Sequence, residues 1–166
     1  MTALNAGWKD VSREGVRLRR ASNKDAEAVR TLVFGVLYKY GLKPDPASTD
    51  RDLEDLEEHY FSKDGWFAVL EVGDGIIGSY GVMRLDSGTC ELRKMYLDAR
   101  FRRRGLGKLL LEDAMTKARE LGYAVMVLET ASVLAEAVAL YESYGFEPFA
   151  ATHLSERCDQ AYRREL

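Results

Sequence analysis

Three arginines, two glycines and a lysine stand together in Arg102-Arg103-Arg104-Gly105-Leu106-Gly107-Lys108. Just before them, Cys90-Glu91-Leu92-Arg93-Lys94-Met95-Tyr96-Leu97 reads as a strand. Just after, Leu106, Leu109, Leu110, Ala114, Ala118 and Leu121 recur at helical spacing until Gly122 stops the pattern. A strand, a glycine loop and a helix in that order form an anion site. Glycine lets the backbone approach a ligand closely. The unbonded N–H groups and positive dipole of the helix start favour negative charge, and four cationic side chains add to it. A phosphate or pyrophosphate fits such a stretch. The spacing is not that of a Walker A loop, Gly-x-x-x-x-Gly-Lys-Ser/Thr, and the third glycine of a dinucleotide fingerprint is missing. A plain glycine turn ahead of a surface helix, with solvated arginines, fits the same letters.

Other reactive residue types are sparse. Asp50, Asp52, Glu54, Asp55, Glu57 and Glu58 face a single Arg51. They read either as a solvated helical face or as an acidic wall that attracts a cationic amine. His59 lies among aromatics and reads as structural; His153 reads as a surface-loop residue. Cys90 and Cys158 are too few for a disulfide scaffold and form no C-x-x-C pair. As free thiols they point to a reducing compartment, and hence to a cytoplasmic location. A net charge of −3 gives bulk electrostatics no pull on nucleic acid. No apolar run approaches the roughly 20 residues of a membrane span, the start has no signal-peptide pattern, and no metal is called for.

With 166 residues, one domain with one core is expected. Residues 1–14 show no periodicity and read as a tail, leaving 15–166 as the domain. Val16 to Arg20 alternate as a strand. A helix follows from about Asp25, capped by Ser22 or Asn23, with Ala26, Val29, Leu32, Val33, Val36 and Leu37 inward. Residues 50–60 read as a second helix with Leu53, Leu56 and Tyr60 inward. Trp66 to Val72, Ile76 to Met83 and residues 89–97 form an antiparallel meander through Gly-rich turns. After the long helix, Ala124 to Thr130 is a buried strand, placed parallel to its predecessor by a right-handed helical crossover. A helix over 134–144, a strand from Phe146 and a last strand over 159–166 complete the order β-α-α-β-β-β-α-β-α-β-β.

That order, over residues 16–166, resembles the GNAT acetyltransferase superfamily. Arg102 to Gly107 fit its Gln/Arg-x-x-Gly-x-Gly/Ala loop. Glu91-Leu92-Arg93-Lys94-Met95-Tyr96-Leu97 resembles the strand that precedes the loop. Ala137-Val138-Ala139-Leu140-Tyr141-Glu142-Ser143-Tyr144-Gly145-Phe146 is similar to its Ala-hydrophobic-x-Leu-Tyr-x-x-x-Gly-Phe signature. The resemblance implies an α/β chain with an α+β mixed sheet, mostly antiparallel and splayed. It implies an N-acetyltransferase that moves the acetyl group of acetyl-CoA to a primary amine by direct attack in a ternary complex. Another acyl-CoA, a hydroxyl acceptor or a non-catalytic CoA sensor are the alternatives.

By the same resemblance, Met95, Tyr96 and Leu97 would meet the pantetheine and acetyl end through backbone groups. The amides of residues 103–108 (Arg103, Arg104, Gly105, Leu106, Gly107, Lys108) would hold the pyrophosphate, with Arg102 filling the motif's first position. Tyr141 would meet the departing thiolate, and Glu91 would take the amine's proton, with Glu129 as second candidate. An alkyl ammonium with a pKa of about 10.4 needs such a base at neutral pH. The spacing leaves open which face of the strand lines the cleft, although alternation puts Glu91, Arg93, Met95 and Leu97 on one side. Cys90 points away from Glu91, against an acyl-cysteine. Many relatives have an asparagine where Leu134 stands, so that contact is not carried over. The acceptor would be a small-molecule or peptide amine, with neither nucleic acid nor membrane as partner, and exposed edge strands leave room for a homodimer.

Overall fold

The computed structural model describes residues 15–166 and the backbone of residues 8–10. The described strands are β1 (Trp8–Asp10), β2 (Val16–Arg20), β3 (Trp66–Val72), β4 (Gly75–Arg84), β5 (Thr89–Leu97), β6 (Val125–Thr130), β7 (Glu147–Pro148) and β8 (Gln160–Glu165). They form one sheet in the order β1-β2-β3-β4-β5-β6-β8-β7. All neighbours are antiparallel except β5 and β6. Thus three residues of the stretch expected as a tail extend the sheet by an edge strand. The rest of that stretch lies outside the described residues.

Helices cover both faces. On one, α3 (Leu106–Glu120) buries Leu106, Leu110, Leu111, Ala114, Met115 and Ala118, and α4 (Ala135–Ser143) contributes Tyr141. On the other, α1 (Ala26–Lys39) buries Val29, Val33 and Leu37 beside Leu53, Leu56 and Tyr60. With helices on both sides, β3 reads as a continuous apolar run instead of an alternation. Phe67 and Val69 enter the α1 core, whereas Ala68 and Leu70 enter the α3 core. Among the described residues, no helix is long and apolar enough to cross a membrane.

The expected second helix is broken. A 3₁₀ turn over Arg51–Glu54 stops at Asp55, which is extended (φ −145°, ψ 95°), and a single turn, α2 (Leu56–His59), comes after it. The Asp55 side chain caps that turn by accepting the Glu58 N–H at 2.9 Å. The break is explained by burial: Asp50 and Asp52 turn inward and are 1% and 5% exposed. They are therefore neither a solvated face nor a free acidic wall.

Two irregularities in β5 shape the centre of the sheet. Its register with β4 jumps between Gly81↔Arg93 and Ser79↔Tyr96, so two residues of β5, Lys94 and Met95, oppose Tyr80 alone. This is a β-bulge, and Lys94 takes the left-handed conformation at φ 53°. Ser79 Oγ donates to the Lys94 carbonyl at 2.7 Å and holds the distortion. The bulge overturns the expected alternation. Arg93 and Lys94 both point toward the 49–52 segment, while Met95 and Leu97 pack in the α3 core and Tyr96 in the α1 core. Secondly, the parallel pairing of β5 with β6 ends at Glu91↔Val127. Beyond it the two strands part.

Candidate active site

The gap between the diverging strands is a cavity of about 390 Å³ that runs from the glycine loop to the start of the splay. At one end, Arg102, Arg103, Gly105, Gly107 and Lys108 line it. Arg103 (φ 63°) and Gly105 (φ 78°) are both left-handed, which coils the loop tightly onto the start of α3. The helix begins with the Leu109 N–H donating to the Gly105 carbonyl at 3.1 Å. The N–H groups of Leu106, Gly107 and Lys108 precede that bond and have no partner within the helix. Such a helix start is suited to an anion. Arg102 is held by Tyr40, whose hydroxyl accepts from Nη1 at 2.5 Å. Of the remaining loop residues, Leu106 is a core side chain and Arg104 lies over the Phe101 ring at 5.4 Å. Neither side chain lines the cavity.

In the middle of the cavity, Met95, Tyr96 and Leu97 form the β5 wall, and Thr130 and Ala131 lie across from them. Their β4-side partners are present, Tyr96 with Ser79 and Leu97 with Gly78. On the β6 side, no strand pairs with β5 after Glu91 among the described residues. That edge keeps backbone hydrogen-bonding capacity for a ligand. Tyr141, from α4, lines the same space and stacks edge-on to Phe146 at 5.9 Å. Its side chain is well buried, and its hydroxyl makes no hydrogen bond to a described residue. Burial first, then the neighbouring Tyr96 and Cys158, push its pKa well above that of an ordinary phenol. Burial also pushes Tyr96 up to about 12, against the opposing charge of Arg157. Leu134 lines the wall as an apolar contact.

At the far end, Glu91 and Glu129 both face the cavity. Burial raises the Glu91 pKa, Arg93 opposes the rise at 4.0 Å, and the Glu129 charge adds to it. Glu129 is held in place by the Ser155 N–H at 2.7 Å. Cys90 is fully buried and absent from the lining, its thiol pushed up to about 12 by burial. His59 and His153 are also absent from the lining. Among the described residues no group of three His, Cys, Asp or Glu side chains is placed to hold a metal.

Behind this end lies a buried knot of charges that sequence reasoning did not find. Asp50 accepts from both terminal nitrogens of Arg157 at 2.7 Å each, from Lys94 Nζ at 2.7 Å and from the Asp45 N–H at 2.8 Å. Asp52 accepts from the Tyr60 hydroxyl and pairs with Arg93 Nε at 3.5 Å. Tyr60 packs directly on Gly81, where a Cβ would come within 2.7 Å of the ring, so only glycine admits it there. Burial alone would raise the Asp50 pKa, but the Arg157 fork and the Lys94 charge hold it far below the usual carboxylate range. Lys94 is pulled below the usual ammonium range by burial, with Asp52 opposing. The acidic residues were visible in the sequence. Their partners, 44 and 107 residues further on, were not.

The model of the acetyltransferase (GNAT) family matches residues 34–146. The chain is 37% identical over 135 residues to an Escherichia coli protein named uncharacterized N-acetyltransferase YjgM, covering 78% of this chain and 81% of that one. It is 34% identical over 130 residues to the N-acetylaspartate synthetase of Danio rerio, covering 73% of this chain but only 45% of that longer protein. In fold it is similar to a GNAT acetyltransferase of Staphylococcus aureus, with a TM-score of 0.84 at 22% identity, covering 90% of this chain and 98% of the other. It is also similar to the yncA protein of Salmonella typhimurium, solved with its cofactor acetyl-CoA, with a TM-score of 0.72 at 20% identity over 91% and 94% of the two chains. The splayed parallel pair, the glycine loop at the helix start and these matches agree: this chain belongs to the GNAT family of acetyltransferases.

Proposed function

We propose that the protein transfers the acetyl group of acetyl-CoA to a primary amine, by direct attack with both substrates bound. The observation that carries this reading is one continuous cavity with an anion cradle at one end, Tyr141 in the middle and a carboxylate of raised pKa at the other. The N-acetylaspartate synthetases among its relatives bear a name that denotes an acetylated amine, and the yncA protein binds acetyl-CoA. The backbone amides of Arg103 to Lys108 hold the pyrophosphate, and Arg102, positioned by Tyr40, adds charge. Met95, Tyr96 and Leu97 meet the pantetheine arm through the unpaired edge of β5. The thioester supplies the carbonyl that the amine attacks, and its carbon–sulfur bond breaks as the carbon–nitrogen bond forms. Glu91 takes the proton that the amine gives up, directly or through water. Tyr141 donates a hydrogen bond to the sulfur as negative charge develops there. Two free thiols fit a cytoplasmic setting.

CoA-thiol release from acetyl-CoA, measured across a panel of amines, tests the reading. Turnover with no amine, while acetyl-CoA still raises the melting temperature by mass action, would refute it. The pH profile tests Glu91. A base works only when deprotonated, so kcat/KM should fall as pH drops through a pKa above the ordinary carboxylate range, because Glu91 is raised. Glu91→Gln should remove that acid limb. An acid limb unchanged in the variant would assign the base elsewhere, with Glu129 first in line.

A further inference from the structure

The end of the cavity away from the glycine loop carries a second set of charges with a different purpose. Arg93 and Lys94 of β5 and Arg157 of the 150–158 loop all line it. The knot behind them holds two carboxylates, Asp50 and Asp52, and Glu91 is the third partner; of these ion pairs, that of Arg93 with Glu91 is the loosest, at 4.0 Å.

The three cations differ in how closely acceptors match their outer nitrogens. Lys94 Nζ carries three hydrogens and has three oxygens around it: Thr49 O at 2.9 Å, Asp50 Oδ1 at 2.7 Å and Asp52 Oδ1 at 3.4 Å. It is fully used. Arg157 commits both terminal nitrogens to Asp50. Arg93 gives Nη2 to Thr49 O at 2.7 Å and turns Nε toward Asp52 at 3.5 Å. Its Nη1 has only Met83 Sδ at 3.7 Å, a weak acceptor, and Glu91 at 4.0 Å. A guanidinium on a cavity wall with its outer nitrogen so poorly matched is suited to a carboxylate. Glu91 and Glu129 occupy the same end and suit an amine.

We infer that the acceptor is a small amino acid: its amine meets Glu91 and Glu129, and its carboxylate is bound by Arg93, with Arg157 adding positive charge beside it. This rests on the transferase reading above. A cavity of about 390 Å³ that must also take the thioester end of the acyl donor leaves room for a small molecule. The acidic stretch at 50–58 does not argue for a purely cationic amine, because its two inward carboxylates are already neutralised.

Matched pairs test the inference: free amino acids with neutral and acidic side chains, each against its carboxamide. In the wild-type protein, kcat/KM for the acid should exceed that for the amide by about 100-fold or more, as expected for charged hydrogen bonds in a buried site. Arg93→Gln should collapse that ratio. Arg93→Lys, which keeps the charge without the fork, should restore part of it. Calorimetry on the CoA complex supplies a readout independent of turnover, with binding expected for the acid and not for the amide. Equal kcat/KM for acid and amide would overturn the inference and leave the transferase reading intact. Acid-selective binding lost in Arg93→Gln, without CoA release from any pair, would keep the amino-acid site at Arg93 but overturn the transferase reading, and with it the acceptor role. Absence of both would overturn both.

Discussion

Tyr141→Phe is expected to lower kcat by about 100-fold or more, the lower end of what a positioned proton or hydrogen-bond donor contributes, with little change in acetyl-CoA affinity. Relative acidity decides what the hydroxyl can do. An ordinary phenol near pKa 10 is already a weaker acid than a thiol near 8.5, so full proton transfer to a thiolate is uphill by about 2 kcal/mol. Burial pushes Tyr141 further up and widens the gap. The role that fits is a hydrogen bond that strengthens as charge builds on sulfur, donated from a dry site where such bonds are strong. The substitution is clean. Phenylalanine keeps the edge-on contact with Phe146, and the hydroxyl removed satisfies no described residue, so the melting temperature should hold. A variant within a few-fold of wild-type kcat, under conditions where chemistry limits the rate, would remove Tyr141 from the mechanism.

The second large effect is on stability. Asp50→Asn should destabilise the fold by about 3–5 kcal/mol, the usual cost of stranding a buried charge by removing its partner. Asparagine nearly matches the shape but leaves Lys94 and Arg157 buried without their shared counter-charge. For a chain of this size that corresponds to a fall of roughly 6–20 °C in melting temperature. Linkage gives the sign with pH. The folded-state pKa of Asp50 is depressed, so its stabilisation is complete above the unfolded carboxylate value near 3.9 and is lost as pH falls toward the lower folded value. The difference between wild type and variant should therefore be widest near neutrality and shrink below about pH 4. Denaturant melts at several pH values measure it, and a difference that does not narrow in acid would show that Asp50 acts by packing alone.

What the sequence made legible was local. The Arg102–Lys108 loop could be read because glycines, a preceding strand and a helical stripe lie within a few residues of each other, and the structure puts the loop at the cavity. Tyr141 was reached through a contiguous motif, and it too lines the cavity. The Lys94 bulge was not legible. A lysine at φ 53° carries none of glycine's signal, yet it shifts the strand's two-residue period and puts Arg93 on the opposite face from Met95. The broken helix at Asp55 escaped for a related reason: composition supports a helix throughout 50–60, and only the burial of Asp50 and Asp52 overrides it. The three-residue β1 offers too little pattern to detect.

The Asp50 knot has a consequence for the order in which the molecule assembles. It joins residues 50, 94 and 157, and the Arg157 pair closes a separation of 107 positions. Contacts so distant in sequence form late, after loop closure has been made favourable by the sheet between them. Interactions absent from the folding transition state slow unfolding without hastening folding. The knot is thus a latch, set last and released first, and Asp50→Asn should hasten the loss of the native state through its unfolding rate while the folding rate stays near that of the wild type. The wall that would face the acceptor is then the part of the protein whose persistence is kinetic.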